Sequence, residues 1–215
     1  MTKQSESQQC MKLAVFGATG GTGKEIVSQA LAAGHEVTVL VRDPSRLSVK
    51  HDKLYLVIGD VLNPEKVEEA LACADAVCCS LGHTANNPDN VVSEGTLNIV
   101  QGMQKQDIPR LIVVSALGVG DSEDQVSLRF KMMMKTVLRK AYEDKERQEQ
   151  IVRESDLDWV IVRPGGLTNG PATGEYQFGL DPSIGGGQVS RADVAAFVLQ
   201  QLTDDTFLQQ TPAIV

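Results

Sequence analysis

An apolar run, Leu13-Ala14-Val15-Phe16, passes straight into Gly17-Ala18-Thr19-Gly20-Gly21-Thr22-Gly23, and this junction restricts the fold more tightly than any other stretch of the chain. A strand that turns sharply into a helix leaves the first backbone N–H groups of the helix unpaired, at the positive end of its macrodipole. Such a corner suits a phosphate. Gly17 permits the tight turn, Gly20 lets the backbone approach a diphosphate, and Gly23 lets the helix that begins near Thr22 pack closely on the sheet. Ile26, Val27, Ala30, Leu31 and Ala33 follow at helical spacing, Gly34 stops the helix, and Glu36 to Val41 reads as a second strand. The result is a strand–helix–strand unit of about 30 residues, the length of a dinucleotide-binding motif. Its corner, with Thr19, Gly21 and Thr22, is expected to hold the diphosphate.

The end of the second strand bears on which dinucleotide. An acidic residue at this place accepts hydrogen bonds from the ribose 2′-hydroxyl of NAD. Here stands Arg42, with Arg46 one turn along, and a planar fork of donors matches the 2′-phosphate of NADP instead. Asp43-Pro44 reads as a helix cap followed by proline at the first helical position.

With 215 residues, 42% of them hydrophobic, the chain is long enough for one substantial core and short for two. Residues 11–215 are expected to form a single domain behind a disordered leader, 1–10. Strand-like runs at Leu13–Phe16, Val37–Val41, Leu54–Ile58, Ala76–Cys79, Leu111–Val114 and Trp159–Val162 alternate with helical segments, and Ala213–Val215 reads as a last edge strand. This pattern predicts an α/β fold, a Rossmann-type doubly wound parallel sheet with helices on both faces. The net charge of −8 argues against nucleic-acid binding, which needs a concentrated basic surface. No run approaches the roughly 20 apolar residues of a membrane span. A cytoplasmic monomer that acts on small molecules is expected. Cys10, Cys73, Cys78 and Cys79 and the three histidines lack metal-ligand spacing, so no metal is predicted.

In a doubly wound sheet the ligand lies across the carboxyl ends of the strands. Asp60 and Val61 follow the third strand and are placed to take the adenine amino group and cover its ring. Leu81 and Gly82 follow the fourth, beside the nicotinamide ribose; His83 reads as a solvated loop residue. Ser115 follows the fifth and is the candidate catalytic residue, a hydroxyl that could orient the carboxamide or a substrate carbonyl. Pro164 and Gly165 follow the sixth, where the proline is expected to fix a bend. Asn169-Gly170-Pro171 and Gly185-Gly186-Gly187 suggest a mobile substrate lid or plain turns. Ser127 to Glu154 reads as one long helix, whose Met132-Met133-Met134 run is either core packing or an adaptable wall beside an aromatic substrate.

Taken together, Val15 to Gly23, Val39-Leu40-Val41-Arg42-Asp43, Gly59-Asp60-Val61, Ser93 to Val100, Val152-Arg153-Glu154-Ser155 and the Ser190-Arg191-Ala192-Asp193-Val194 helix start carry a resemblance. Across residues 11 to 204 the chain resembles the atypical short-chain dehydrogenases, in the branch that holds NmrA-like proteins and flavin reductase (biliverdin reductase B). It departs from ordinary short-chain dehydrogenases in having no Tyr-x-x-x-Lys pair: Lys145 is near the expected place, but Ala141 stands where the tyrosine would be. It departs from biliverdin reductase B in carrying Gly166 where that protein has a histidine after the sixth-strand proline. The resemblance implies NADPH as cofactor and an aromatic acceptor, either flavin or linear tetrapyrrole, with FMN a substrate and not a tightly bound group. Hydride transfer to a flavin needs two flat rings held in contact and no protein acid. The resemblance equally admits a non-catalytic NADP-binding redox sensor of the NmrA type.

Overall fold

The computed structural model describes residues 10–84 and 89–215. The expected leader therefore lies outside the described residues, Cys10 excepted, whose thiol donates to Gly34 O at 3.0 Å. The first unit runs β1 (Lys12–Phe16), α1 (Gly21–Ala32), β2 (Glu36–Val41), β3 (Leu54–Ile58) and α2 (Pro64–Leu71). The second runs β4 (Ala76–Cys79), α3 (Val91–Lys105), β5 (Arg110–Val114), α4 (Leu128–Lys135), α5 (Arg139–Arg153) and β6 (Asp158–Pro164). It is followed by β7 (Gly166–Thr168), β8 (Phe178–Gly179), β9 (Gln188–Ser190), α6 (Arg191–Gln200) and β10 (Ala213–Ile214).

The main sheet has the order β3-β2-β1-β4-β5-β6-β10-β8. All its pairs are parallel except β10 with β8. The order reverses between β1 and β4, and a crevice opens there at the carboxyl ends of the strands. The central strands are buried on both faces, so Val-rich runs such as Leu111-Ile112-Val113-Val114 replace the alternation of a half-exposed sheet. One core layer packs β1, β2, β5 and β6 against α1 and α6 through Ile26, Val27, Val194 and Phe197. The other packs Phe16, Val77 and Trp159 against α2, α3 and α5 through Leu71, Ile99 and Val152.

Local signals read from the sequence explain most boundaries. Gly34 ends α1 at φ +91°, with its N–H on Leu31 O. Asn63 caps α2 by accepting from Glu65 N, with Pro64 behind it. Two expectations fail. The predicted helix 127–154 is broken at Thr136–Leu138, where the Thr136 hydroxyl donates to Met132 O and Leu138 N turns back to Met133 O. A β-branched pair, Thr136-Val137, with a side chain that competes for backbone carbonyls is a poor place to continue a helix. The predicted edge strand at the C-terminus is instead interior, because β8 pairs along its outer side.

Candidate functional site

At the crevice the glycine corner is built by close approach. Gly17 has φ +83°, and a Cβ on it would lie 2.5 Å from Ser80 O. A Cβ on Gly23 would stand 2.1 Å from Gly17 O and 2.8 Å from Ser80 Oγ, so α1 is seated against the turn and the end of β4. At Gly20 a Cβ would meet, among the described residues, only Gly17 O, at 3.2 Å. The N-terminus of α1 has no side-chain cap and no acid in its first turn. Free N–H groups and the dipole fit a diphosphate.

A residue read as holding the 2′-phosphate adjoins one read as holding the adenine. Arg42 Nη1 lies 3.8 Å from Asp60 Oδ2, and both side chains are partly exposed. Asp43 caps the turn Pro44–Arg46 as expected: Ser45 N and Oγ both donate to Oδ1, and these bonds hold its carboxyl below the usual range. Asp60 Oδ1 accepts from Leu62 N at 2.9 Å and so organises the loop into α2. Val61 is held through its carbonyl by Asn98 Nδ2 at 3.0 Å. Gly95 of α3 was missed as a site residue. A Cβ there would come within 2.7 Å of Val61 Cγ1 and 3.1 Å of Leu81 Cδ1, so its absence lets both side chains lie against the helix. The signal was available, since a glycine inside a helical pattern costs about 1 kcal/mol relative to alanine and asks for a packing reason.

At the opposite end Ser115 is buried, and its hydroxyl donates to Glu149 Oε1 at 2.6 Å. Glu149 also accepts from Arg163 Nε at 3.0 Å and Nη2 at 2.6 Å. Arg163 reaches on to Asp121 Oδ1 at 2.6 Å. The serine proton is thus committed, which leaves its oxygen as an acceptor only. Of the two roles expected of it, orienting the carboxamide or a substrate carbonyl, the bond to Glu149 favours the first.

Pro164 is the last residue of β6, with its carbonyl accepting from Leu117 N at 2.9 Å and β10 paired alongside, and the chain leaves the main sheet after it for β7. At Gly165 a Cβ would lie 2.7 Å from Gly187 O. Among the described residues no atom stands within 4 Å of where a Cβ on Gly82 would be.

Lys145 marks the floor between β4 and β5: its ammonium donates to Val114 O at 3.0 Å and to Leu81 O and Gln148 Oε1, each at 3.4 Å. Burial holds its pKa below the ordinary lysine value. Tyr142, one turn earlier on α5, donates to Leu117 O at 3.3 Å, and burial pushes its phenol up to about 12.

Beyond the end of β5 a cavity of about 340 Å³ is lined by Gly118, Val119, Met134, Arg139, Tyr142 and Glu146 among others. Met134 is the one methionine of its run in this lining; Met132 and Met133 are exposed, so no methionine wall forms. Two glycines of the Gly185–Gly187 segment are closely packed: a Cβ on Gly185 would lie 2.2 Å from Gln125 O, and one on Gly187 2.8 Å from Val215 Cβ. The 169–174 segment is fastened to α6, with Asp193 accepting from Thr173 N and Gly174 N, both at 2.9 Å. No helix among the described residues is long and apolar enough to cross a membrane.

Comparison with known proteins agrees with this geometry. A family profile described as NAD(P)H-binding matches residues 17–205. An uncharacterised chloroplast protein of Arabidopsis thaliana is 32% identical over 203 residues, covering 90% of this chain and 72% of that protein. Among solved structures, ChuY, an anaerobilin reductase of Escherichia coli O157:H7, aligns with TM-score 0.81 and 27% identity over 95% of this chain and 96% of its own. A short-chain dehydrogenase/reductase of Veillonella parvula shares the fold at TM-score 0.82 and 20% identity, over 96% and 94% of the two chains. The chain belongs to the NAD(P)H-binding family and has the fold of the atypical short-chain dehydrogenase/reductases.

Proposed function

We propose that the protein is an NADPH-dependent reductase of planar conjugated acceptors, flavins such as FMN and riboflavin and also linear tetrapyrroles such as biliverdin. The observation that carries this reading is the state of Tyr142. Its hydroxyl is turned onto a backbone carbonyl and held well above its ordinary pKa, three positions from Lys145 and not four, so the crevice has a lysine without its tyrosine acid. An alcohol–ketone reaction needs that acid. A flavin does not.

In this reading Gly17, Thr19, Gly20, Gly21, Thr22 and Gly23 hold the diphosphate, Arg42 and Arg46 the 2′-phosphate, and Asp60 and Val61 the adenine. Leu81 and Gly82 border the nicotinamide ribose, Pro164 and Gly165 back the ring, and Ser115 Oγ accepts from the carboxamide NH₂. Reduced nicotinamide, when bound, supplies a hydride. The chain's own work is to align the acceptor, whose proton comes from water through the open cavity, so that catalysis is by proximity and orientation. The activity of ChuY, an anaerobilin reductase, supports the tetrapyrrole part of the acceptor class.

The test is NADPH oxidation by purified protein with FMN, riboflavin, biliverdin or no acceptor. Acceptor-dependent oxidation is the expected result. Binding of NADPH without consumption under any acceptor would replace this reading with that of a non-catalytic NADP sensor.

A further inference from the structure

We infer that Arg191 is a second ligand to the cofactor diphosphate, carried on α6 and laid across the glycine corner of α1. A Cβ built on Gly21 would lie 2.5 Å from Arg191 Nε and 2.6 Å from its Cδ, so the arginine stem occupies the space a side chain at Gly21 would need. Gly21 has no positive φ to explain it. Its lack of a side chain is explained by the arginine.

Arg191 Nη1 donates to Asn169 Oδ1 at 2.6 Å, and no described carboxylate pairs with the guanidinium. Asn169 holds the Nη1 end, while Nε stands over Gly21 and no hydrogen bond among the described residues holds the Nε and Nη2 edge. A planar fork with one edge held by an amide and the other beside an uncapped helix N-terminus is suited to two phosphate oxygens. The arrangement also ties the 169–174 segment to the cofactor, since Asp193, two residues on, fastens the same segment.

This inference rests on the dinucleotide reading above, and the experiment separates the two. Affinities are measured by competition for NADPH, ADP, which carries the diphosphate, and adenosine 2′-monophosphate, which does not. Wild-type protein that binds neither NADPH nor ADP would overturn the dinucleotide reading itself. With binding present, Arg191→Ala is expected to weaken NADPH and ADP roughly 10- to 100-fold and leave adenosine 2′-monophosphate unchanged, with partial recovery in Arg191→Lys. Gly21→Ala, which displaces the arginine without removing it, is expected to weaken ADP as well, at unchanged Tm. Undiminished ADP affinity in Arg191→Ala, or equal losses for both probes, would overturn the assignment.

Discussion

Arg42 Nη1 stands 3.8 Å from Asp60 Oδ2, so the residue that ends the second strand is linked to the residue that follows the third. The carboxylate that could have faced a ribose 2′-hydroxyl is absent from the first of these places, and the acid at the second steadies an arginine. Replacing Arg42 with alanine should weaken NADPH by about 1.5–3 kcal/mol, the scale of a charge-assisted hydrogen bond, and spare NADH. Titration of both cofactors against the two proteins checks this. Equal losses would refute the 2′-phosphate role.

Tyr142 and Ser115 separate the acid-free mechanism from the usual one. Tyr142→Phe should keep acceptor-dependent turnover within about threefold, because its phenol takes no part in proton transfer. Ser115→Ala should raise KM for NADPH and lower kcat by about tenfold through a misplaced nicotinamide. A collapse of turnover in Tyr142→Phe, or wild-type kinetics in Ser115→Ala, would assign these roles wrongly.

The Glu149–Arg163 pair is buried on both sides and shared with Ser115 and Asp121. Removing one member of a buried pair leaves the other charge uncompensated, at a cost of about 3–5 kcal/mol. Glu149→Ala should lose stability on that scale in urea denaturation. A change of under about 1 kcal/mol, the range of exposed pairs, would show that water already screens the pair.

His35 gives the folded protein a pH dependence of known sign. It is buried, and its Nδ1 accepts from Met11 N at 3.1 Å, which requires an unprotonated nitrogen. Burial first, and the Lys53 charge second, hold its pKa below 6.5. The unfolded chain therefore takes up this proton at higher pH than the folded one. Stability is fully present above about 6.5 and declines as pH falls through that value toward the lowered folded pKa. Urea denaturation between about pH 7.5 and 5.5 should show the decline, and His35→Gln should flatten it.

The sheet and the cofactor corner were legible because their signals are local. Val-rich runs mark doubly buried strands, and Gly17 and Gly23 stand where added side chains would collide with backbone. What was not legible depends on partners distant in sequence. Nothing beside Ser115 announces that Glu149, 34 residues later, accepts its hydrogen bond. Likewise Gly21 reads as one more glycine of a motif until α6 brings Arg191 over it. The break at Thr136 lies at a β-branched pair, Thr136-Val137, inside an otherwise helical pattern.

The central claim is hydride transfer from NADPH to a planar acceptor, and NADPH absorbance at 340 nm with FMN, riboflavin, biliverdin and no acceptor in parallel tests it most directly, with NADH as control. The account predicts acceptor-dependent loss of NADPH, fastest with a flavin and much slower with NADH. A rate with every acceptor equal to the rate with none, in protein shown to bind NADPH, would contradict it.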